Sequence, residues 1–171
     1  DRETYLRFPN KGRALDEASI SRLRLFTADL ALVVSDGLST LAIQNHFWLF
    51  WKEFAPILKT TFPELHYQLV FIPYGRVAIS DEVGETLKAK MSIIFLGERP
   101  GLDSPDSMGI YMTYQPQLGN SDAQRNCISN VREPQGLHYP LAANKLIWLM
   151  KESLRLQLSG VPLKDNQPTT T

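Results

Sequence analysis

Hydrophobic positions along the chain fall into short continuous runs and longer periodic stretches. The run Leu30-Ala31-Leu32-Val33-Val34 is uninterrupted, stops at Ser35-Asp36-Gly37, and predicts a buried strand. Apolar residues then recur at helical spacing from Leu38 to Leu58, about 20 residues, before Pro63 ends the pattern. A second strand is predicted over 68–72; after Pro73-Tyr74-Gly75-Arg76, Ser80 is placed as the N-cap of a helix with Asp81 and Glu82 in its first turn. A third strand follows at 91–96. Residues 109–114 alternate and predict a fourth strand at the sheet edge. Ser121-Asp122-Ala123-Gln124 has capping-box spacing for a short helix. A last long helix begins near Tyr139, with Leu141, Leu146, Ile147, Leu149, Met150, Leu154 and Leu158 on its apolar side, and stops at Gly160 and Pro162.

Alternating strands and helices, with continuously apolar strands, predict an α/β fold: a Rossmann-like, mainly parallel sheet with helices on both faces. Ahead of it, Leu15, Ile20, Leu23, Leu25 and Phe26 mark a short helix. The expected division is an N-terminal helical arm over 1–28, an α/β domain over 29–163, and a polar, fraying tail over 164–171. In such sheets ligands bind outside the carboxyl ends of the strands. Three turns share that edge: Ser35 to Ser39, Gly75 to Ala78, and Gly97-Glu98-Arg99-Pro100-Gly101.

Composition narrows the partners. With 171 residues and 43% hydrophobic content the chain has enough for one full core, which excludes disorder for most of it. Eighteen basic and eighteen acidic residues cancel, leaving no general field for a nucleic acid. A lone Cys127 forms no internal disulfide, which fits the cytoplasm. No apolar run approaches the roughly 20 residues of a membrane span. The chain opens on Asp1 and not on methionine, so a preceding segment, removed or omitted, is compatible with it.

Candidate chemistry concentrates between Met91 and Val131. The third strand empties into Gly97 to Gly101, followed by Ser104-Pro105-Asp106-Ser107 and by Arg125-Asn126-Cys127-Ile128-Ser129-Asn130. Glu98, a carboxylate at a strand terminus, needs a partner for its desolvated charge: a ligand, a salt bridge to Arg99, or both. The Ser35-Asp36-Gly37 turn is either an anion cradle at a helix N-terminus or an ordinary capped turn. No G-x-G-x-x-G or G-x-x-x-x-G-K-[ST] loop supports a nucleotide, and no G-x-S-x-G elbow supports a serine hydrolase. His46, His66 and His138 are far apart and read as surface or half-buried structural residues. Cys127 lacks a nucleophile signature around it. Phe47, Trp48, Phe50, Trp51 and Phe54 read as core or subunit-interface packing.

In order along the chain, Tyr5-Leu6-Arg7-Phe8-Pro9-Asn10-Lys11-Gly12-Arg13, Ser35-Asp36-Gly37-Leu38-Ser39, Gly75-Arg76-Val77-Ala78, Gly97-Glu98-Arg99-Pro100-Gly101, Asn126-Cys127-Ile128-Ser129-Asn130 and Leu158-Ser159-Gly160-Val161 closely resemble the small subunit of ethanolamine ammonia-lyase. The resemblance implies a radical lyase of ethanolamine catabolism, converting ethanolamine to acetaldehyde and ammonia with adenosylcobalamin, a cobalt corrin. It implies a large-subunit partner, a (β/α)8 barrel that carries the substrate site, and a hetero-oligomer, often within a bacterial microcompartment. By motif, the corrin-binding residues fall on Val77, Glu98 and Cys127. The chain lacks an Asp-x-His-x-x-Gly arrangement around any histidine, so a base-on cobalamin is expected. Two other classes remain: a stand-alone α/β nucleotide-binding or hydrolase-like module using the Ser35-Asp36-Gly37 turn, and a scaffold subunit working through its aromatic helix.

Overall fold

A computed structural model describes residues 1–99 and 106–163. The proposed tail at 164–171, residues 100 and 101 of the Gly97 to Gly101 turn, and Ser104-Pro105 lie outside the described residues. Strand β1, Leu30–Ser35, is buried at all six positions, as an uncharged run flanked on both sides and covered on both faces must be. It pairs in parallel with β2, Tyr67–Phe71, and with β3, Met91–Glu98. Strand β4, Ser107–Tyr114, is antiparallel to β3, and β5, Arg125–Val131, is antiparallel to β4. The order is β2-β1-β3-β4-β5.

The sheet is therefore mixed: parallel over β2, β1 and β3, antiparallel beyond, and the expectation of a mainly parallel sheet is corrected to that extent. Chain length explains it, since residues 99–106 are too few for the crossover of about a dozen residues that a parallel neighbour requires. Strand β5 was not foreseen, and it, not β4, occupies the edge. Its apolar content is small: Ile128 and Val131 point into the core while Cys127, Ser129 and Asn130 stay exposed.

One face of the sheet is covered by a helical run and a long helix. The predicted helix over 38–58 is seen as α3, Thr40–Ala42, a π-helical segment, Ile43–Phe47, and α4, Trp48–Thr61. Ser39 caps its start, its hydroxyl accepting the Ala42 N–H at 3.2 Å. Phe47, Phe50, Phe54 and Leu58 recur on one side and pack with Phe95 against the sheet, whereas Trp48 is 53% exposed and lies beside Phe71 of the edge strand. Helix α6, Tyr139–Leu156, completes that layer and ends where Gln157 takes a left-handed conformation, φ 57°. Leu146, Ile147, Leu149 and Met150 are buried as expected; Leu141, placed on the apolar side, is 60% exposed.

The opposite face carries α5, Ile79–Thr86, whose Ile79 and Val83 cover Ala31, Val33, Ile94 and Leu96. Its N-cap is Ala78, not Ser80; the Ser80 hydroxyl turns back to donate to the Val77 carbonyl at 2.9 Å. The first residues form α1, Arg2–Arg7, a 3-10 turn, Pro9–Arg13, and α2, Glu17–Leu23, with Asp1 and Asp16 as N-caps. Leu25 and Phe26 lie beyond α2 and are exposed. The arm is held by the Gly12 carbonyl, which accepts the Arg76 N–H at 2.7 Å, by the Arg76 guanidinium 4.1 Å over the Tyr5 ring, and by Glu82 accepting the Leu15 N–H at 2.6 Å.

Candidate functional site

The parallel strands end together, and their turns are tied into one edge. Ser35 Oγ accepts the Gly75 N–H at 2.8 Å, and Asp36 Oδ1 accepts the Tyr74 N–H at 2.6 Å. The Gly97 carbonyl accepts the N–H groups of Leu38 at 2.8 Å and Ser39 at 3.3 Å. Gly37 is required here: it has φ +49°, and a Cβ on it would stand 2.5 Å from the Gly97 oxygen. Arg2 donates to the Gly37 and Leu38 carbonyls and lies 3.7 Å from Asp36. The Leu38 and Ser39 N–H groups are thus spent on the Gly97 and Asp36 carbonyls, and the turn fastens strands together.

Beyond that edge, Glu98 closes β3. Its carboxylate Oε1 accepts the Tyr111 hydroxyl, and it lies across Gly109, where a Cβ would sit 2.7 Å from Glu98 Cδ. Burial pushes the Glu98 carboxyl above its usual range, and the Tyr111 hydrogen bond offsets part of that rise. No Glu98–Arg99 ion pair is formed among the described residues; Arg99 is exposed. Tyr111 is pushed up in turn, first by burial and then by the carboxylate it donates to, so it remains a donor.

Cys127 stands opposite Tyr111 in the β4–β5 register. It is exposed, with Sγ 3.2 Å from Ser129 Oγ, and desolvation on the protein side raises its thiol, so at neutral pH it is a thiol and not a nucleophilic thiolate. Among the described residues its hydrogen-bond contacts are that serine and Tyr111, and not a histidine. Register puts Glu98, Gly109, Tyr111 and Cys127 on the α5 side of the sheet, since Leu96 faces Gly109 and Ile94 faces Tyr111. Helix α5 covers the parallel part and leaves Cys127 and Ser129 open. Val77 is half-buried at the head of α5; its carbonyl accepts from Ser80, and its N–H has no acceptor among the described residues.

Two clusters escaped the sequence reading. His46, 6% exposed and not on the surface, has Nδ1 2.9 Å from the Tyr139 hydroxyl and Nε2 3.1 Å from Asp106 Oδ2. Asp106 also accepts from Asn45 at 3.0 Å and lies 3.7 Å from Arg132, contacts that hold its carboxyl below the usual range, the Asn45 bond first. Asp81 and Arg125 form a buried ion pair at 2.8 Å. Neither has a local sequence signature, because their members come from different elements. Tyr111 was legible only as a strand residue.

Cavities of about 590 Å³ and 630 Å³ lie beneath the arm, one against β2 and the other beside α5; Glu98, Tyr111 and Cys127 line neither. Among the described residues the candidate site is an open sheet face. Among the described residues no group of three His, Cys, Asp or Glu side chains is placed to hold a metal ion, and no helix is long and apolar enough to cross a membrane.

These features define an α/β chain with helices on both faces of a mixed sheet, with Glu98, Tyr111 and Cys127 together on the α5 side beside the last parallel strand. The sequence matches the family described as ethanolamine ammonia-lyase light chain (EutC) over residues 1–164, and the chain belongs to that family. It is 52% identical over 171 residues to the ethanolamine ammonia-lyase small subunit of Pseudomonas aeruginosa, covering 96% of this chain and 62% of that protein. It is 48% identical over 177 residues to the small subunit of Azotobacter vinelandii, covering 96% and 63%. Against that of Pseudomonas fluorescens it is also 48% identical, with 100% and 64% covered. The chain thus spans less than two thirds of the length of these relatives.

Proposed function

We propose that this chain acts in the small subunit of an adenosylcobalamin-dependent ethanolamine ammonia-lyase, forming one wall of the cobalamin site against a large subunit that holds the substrate. The observation that supports it most is the Glu98 carboxylate fastened by Tyr111 on an open sheet face beside exposed Cys127. A corrin is rimmed with acetamide and propionamide groups, and the residues present suit it: Glu98 accepts an amide N–H, the Val77 N–H donates, and Cys127 adds a weak polar contact. Each is worth on the order of 1 kcal/mol, so the wall works through several contacts.

When bound, adenosylcobalamin supplies the homolytic chemistry that starts the reaction. This chain's residues bind and orient the corrin edge and shield it from water. A base-on cofactor agrees with His46, which is buried with both ring nitrogens engaged. In this reading residues 1–28 are an arm, 29–163 the cobalamin-binding unit, and the working form a cytoplasmic hetero-oligomer packaged in a microcompartment. The stand-alone nucleotide reading is less favoured, because the Leu38 and Ser39 N–H groups of that turn are occupied within the chain.

Glu98→Ala tests the proposal. Cobalamin affinity of the two-subunit complex should fall about tenfold, the size of one charge-assisted hydrogen bond, with subunit assembly unchanged. Unaltered affinity would overturn the assignment of Glu98.

A further inference from the structure

Resting on the cobalamin-wall reading, we infer that Tyr111 is a positioning residue: with Gly109 beneath, it holds the Glu98 carboxylate in one orientation and leaves Oε2 free to accept an amide N–H of the corrin rim. Register carries the argument. Glu98 faces Ser107 across the β3–β4 pair, while Tyr111 faces Ile94, so the tyrosine hydroxyl reaches Glu98 only by lying along the sheet. The path crosses Gly109, and it is open because that residue has no side chain. A Cβ at 109 would stand 2.7 Å from Glu98 Cδ and Oε2 and 2.8 Å from Oε1, closer than real Cβ atoms come to such neighbours.

The hydroxyl takes Oε1, and Oε2 has no donor among the described residues. Oε2 is not among the buried atoms left without a partner, so a donor from outside the chain can reach it. Among the described residues, the groups around Glu98 are Tyr111 from β4, Cys127 from β5 with Lys145 of α6 acting on its thiol, and exposed Arg99 next in the chain. Burial favours the protonated acid, and the Tyr111 hydrogen bond is the contact that opposes it. A protonated Glu98 would present an O–H where the corrin amide also presents a donor. Tyr111 therefore keeps the carboxylate both aimed and ionised, without touching the cofactor itself.

The test uses the complex with the large subunit and titrates adenosylcobalamin by its corrin absorption across the acid-to-neutral range. Tyr111→Phe should weaken binding about fivefold at neutral pH. The pH at which affinity falls on the acid side should move upward, because Glu98 loses the hydrogen bond that favours its charge. Adding Tyr111→Phe to Glu98→Ala should cost nothing further. Gly109→Ala, which keeps both side chains and separates them, should reproduce the same weakening, and it decides the question if Tyr111→Phe does not assemble. Wild-type affinity and an unmoved acid limb in Tyr111→Phe, or an additive loss in the double variant, would overturn the positioning role while Glu98→Ala still weakens binding. Unchanged affinity in Glu98→Ala would instead remove the underlying reading, and this inference with it.

Discussion

Asp81 and Arg125 are the costliest charges in the described interior, 2.8 Å apart with side chains 2% and 3% exposed. Arg125 is also tied to the Asn120 carbonyl at 2.8 Å, so the pair pins the β4–β5 connection onto α5. Burial pushes the Asp81 carboxyl up to about 6 from 3.8, Arg125 recovering only part of the loss. An acid with a raised folded value keeps a proton that the unfolded chain has released. Its contribution to stability is whole below about pH 4 and declines as pH rises through about 6. Across that window the urea midpoint of the wild type should therefore fall more steeply with pH than that of Asp81→Asn; parallel curves would show that Asp81 does not titrate there. Residue-scale chemistry was unevenly legible. Glu98 stood out because a carboxylate ended an apolar strand. Tyr111 and the Asp81–Arg125 pair did not, because their partners lie 13 and 44 residues away in sequence and meet only once register is known.

At the scale of elements, what could be read depended on how much of each element is buried. Strands β1 and β3 announced themselves as continuous apolar runs, since both faces are covered. Strand β5 exposes one face and carries only two buried aliphatic residues, so its seven residues looked like a loop of candidate ligands. The reversal to antiparallel pairing was implicit in the short connection after Glu98 but was outweighed by the alternation of strands and helices earlier in the chain. The aromatic run of the first long helix divides in two. Phe50 packs with ring centroids 5.4 Å from Phe54 and 5.5 Å from Phe95, entirely buried, whereas Trp48 remains exposed. Phe50→Ala should cost about 3–5 kcal/mol of stability by urea unfolding. A loss below about 1 kcal/mol would mean that the core closes over the gap.

At the scale of the whole molecule, the fold brings Glu98, Tyr111 and Cys127 to one sheet face, and the cavities beneath the arm lie elsewhere. The arm, through Arg2 and Gly12, is fastened to the same carboxyl edge that presents Glu98 and Val77. In the proposed assembly, such a face would bind a large, flat, amide-rimmed molecule weakly alone and tightly once a second chain covers it. That is the division of labour proposed for the two subunits, and it places the substrate outside this chain. The most direct measurement is to purify the chain with its large-subunit partner, add adenosylcobalamin and ethanolamine, and follow acetaldehyde together with the corrin spectrum, alongside each chain alone. The account predicts product and retained corrin only when both chains are present. Full-rate acetaldehyde formation by the large subunit without this chain, or a complex of both chains that retains no corrin, would contradict it.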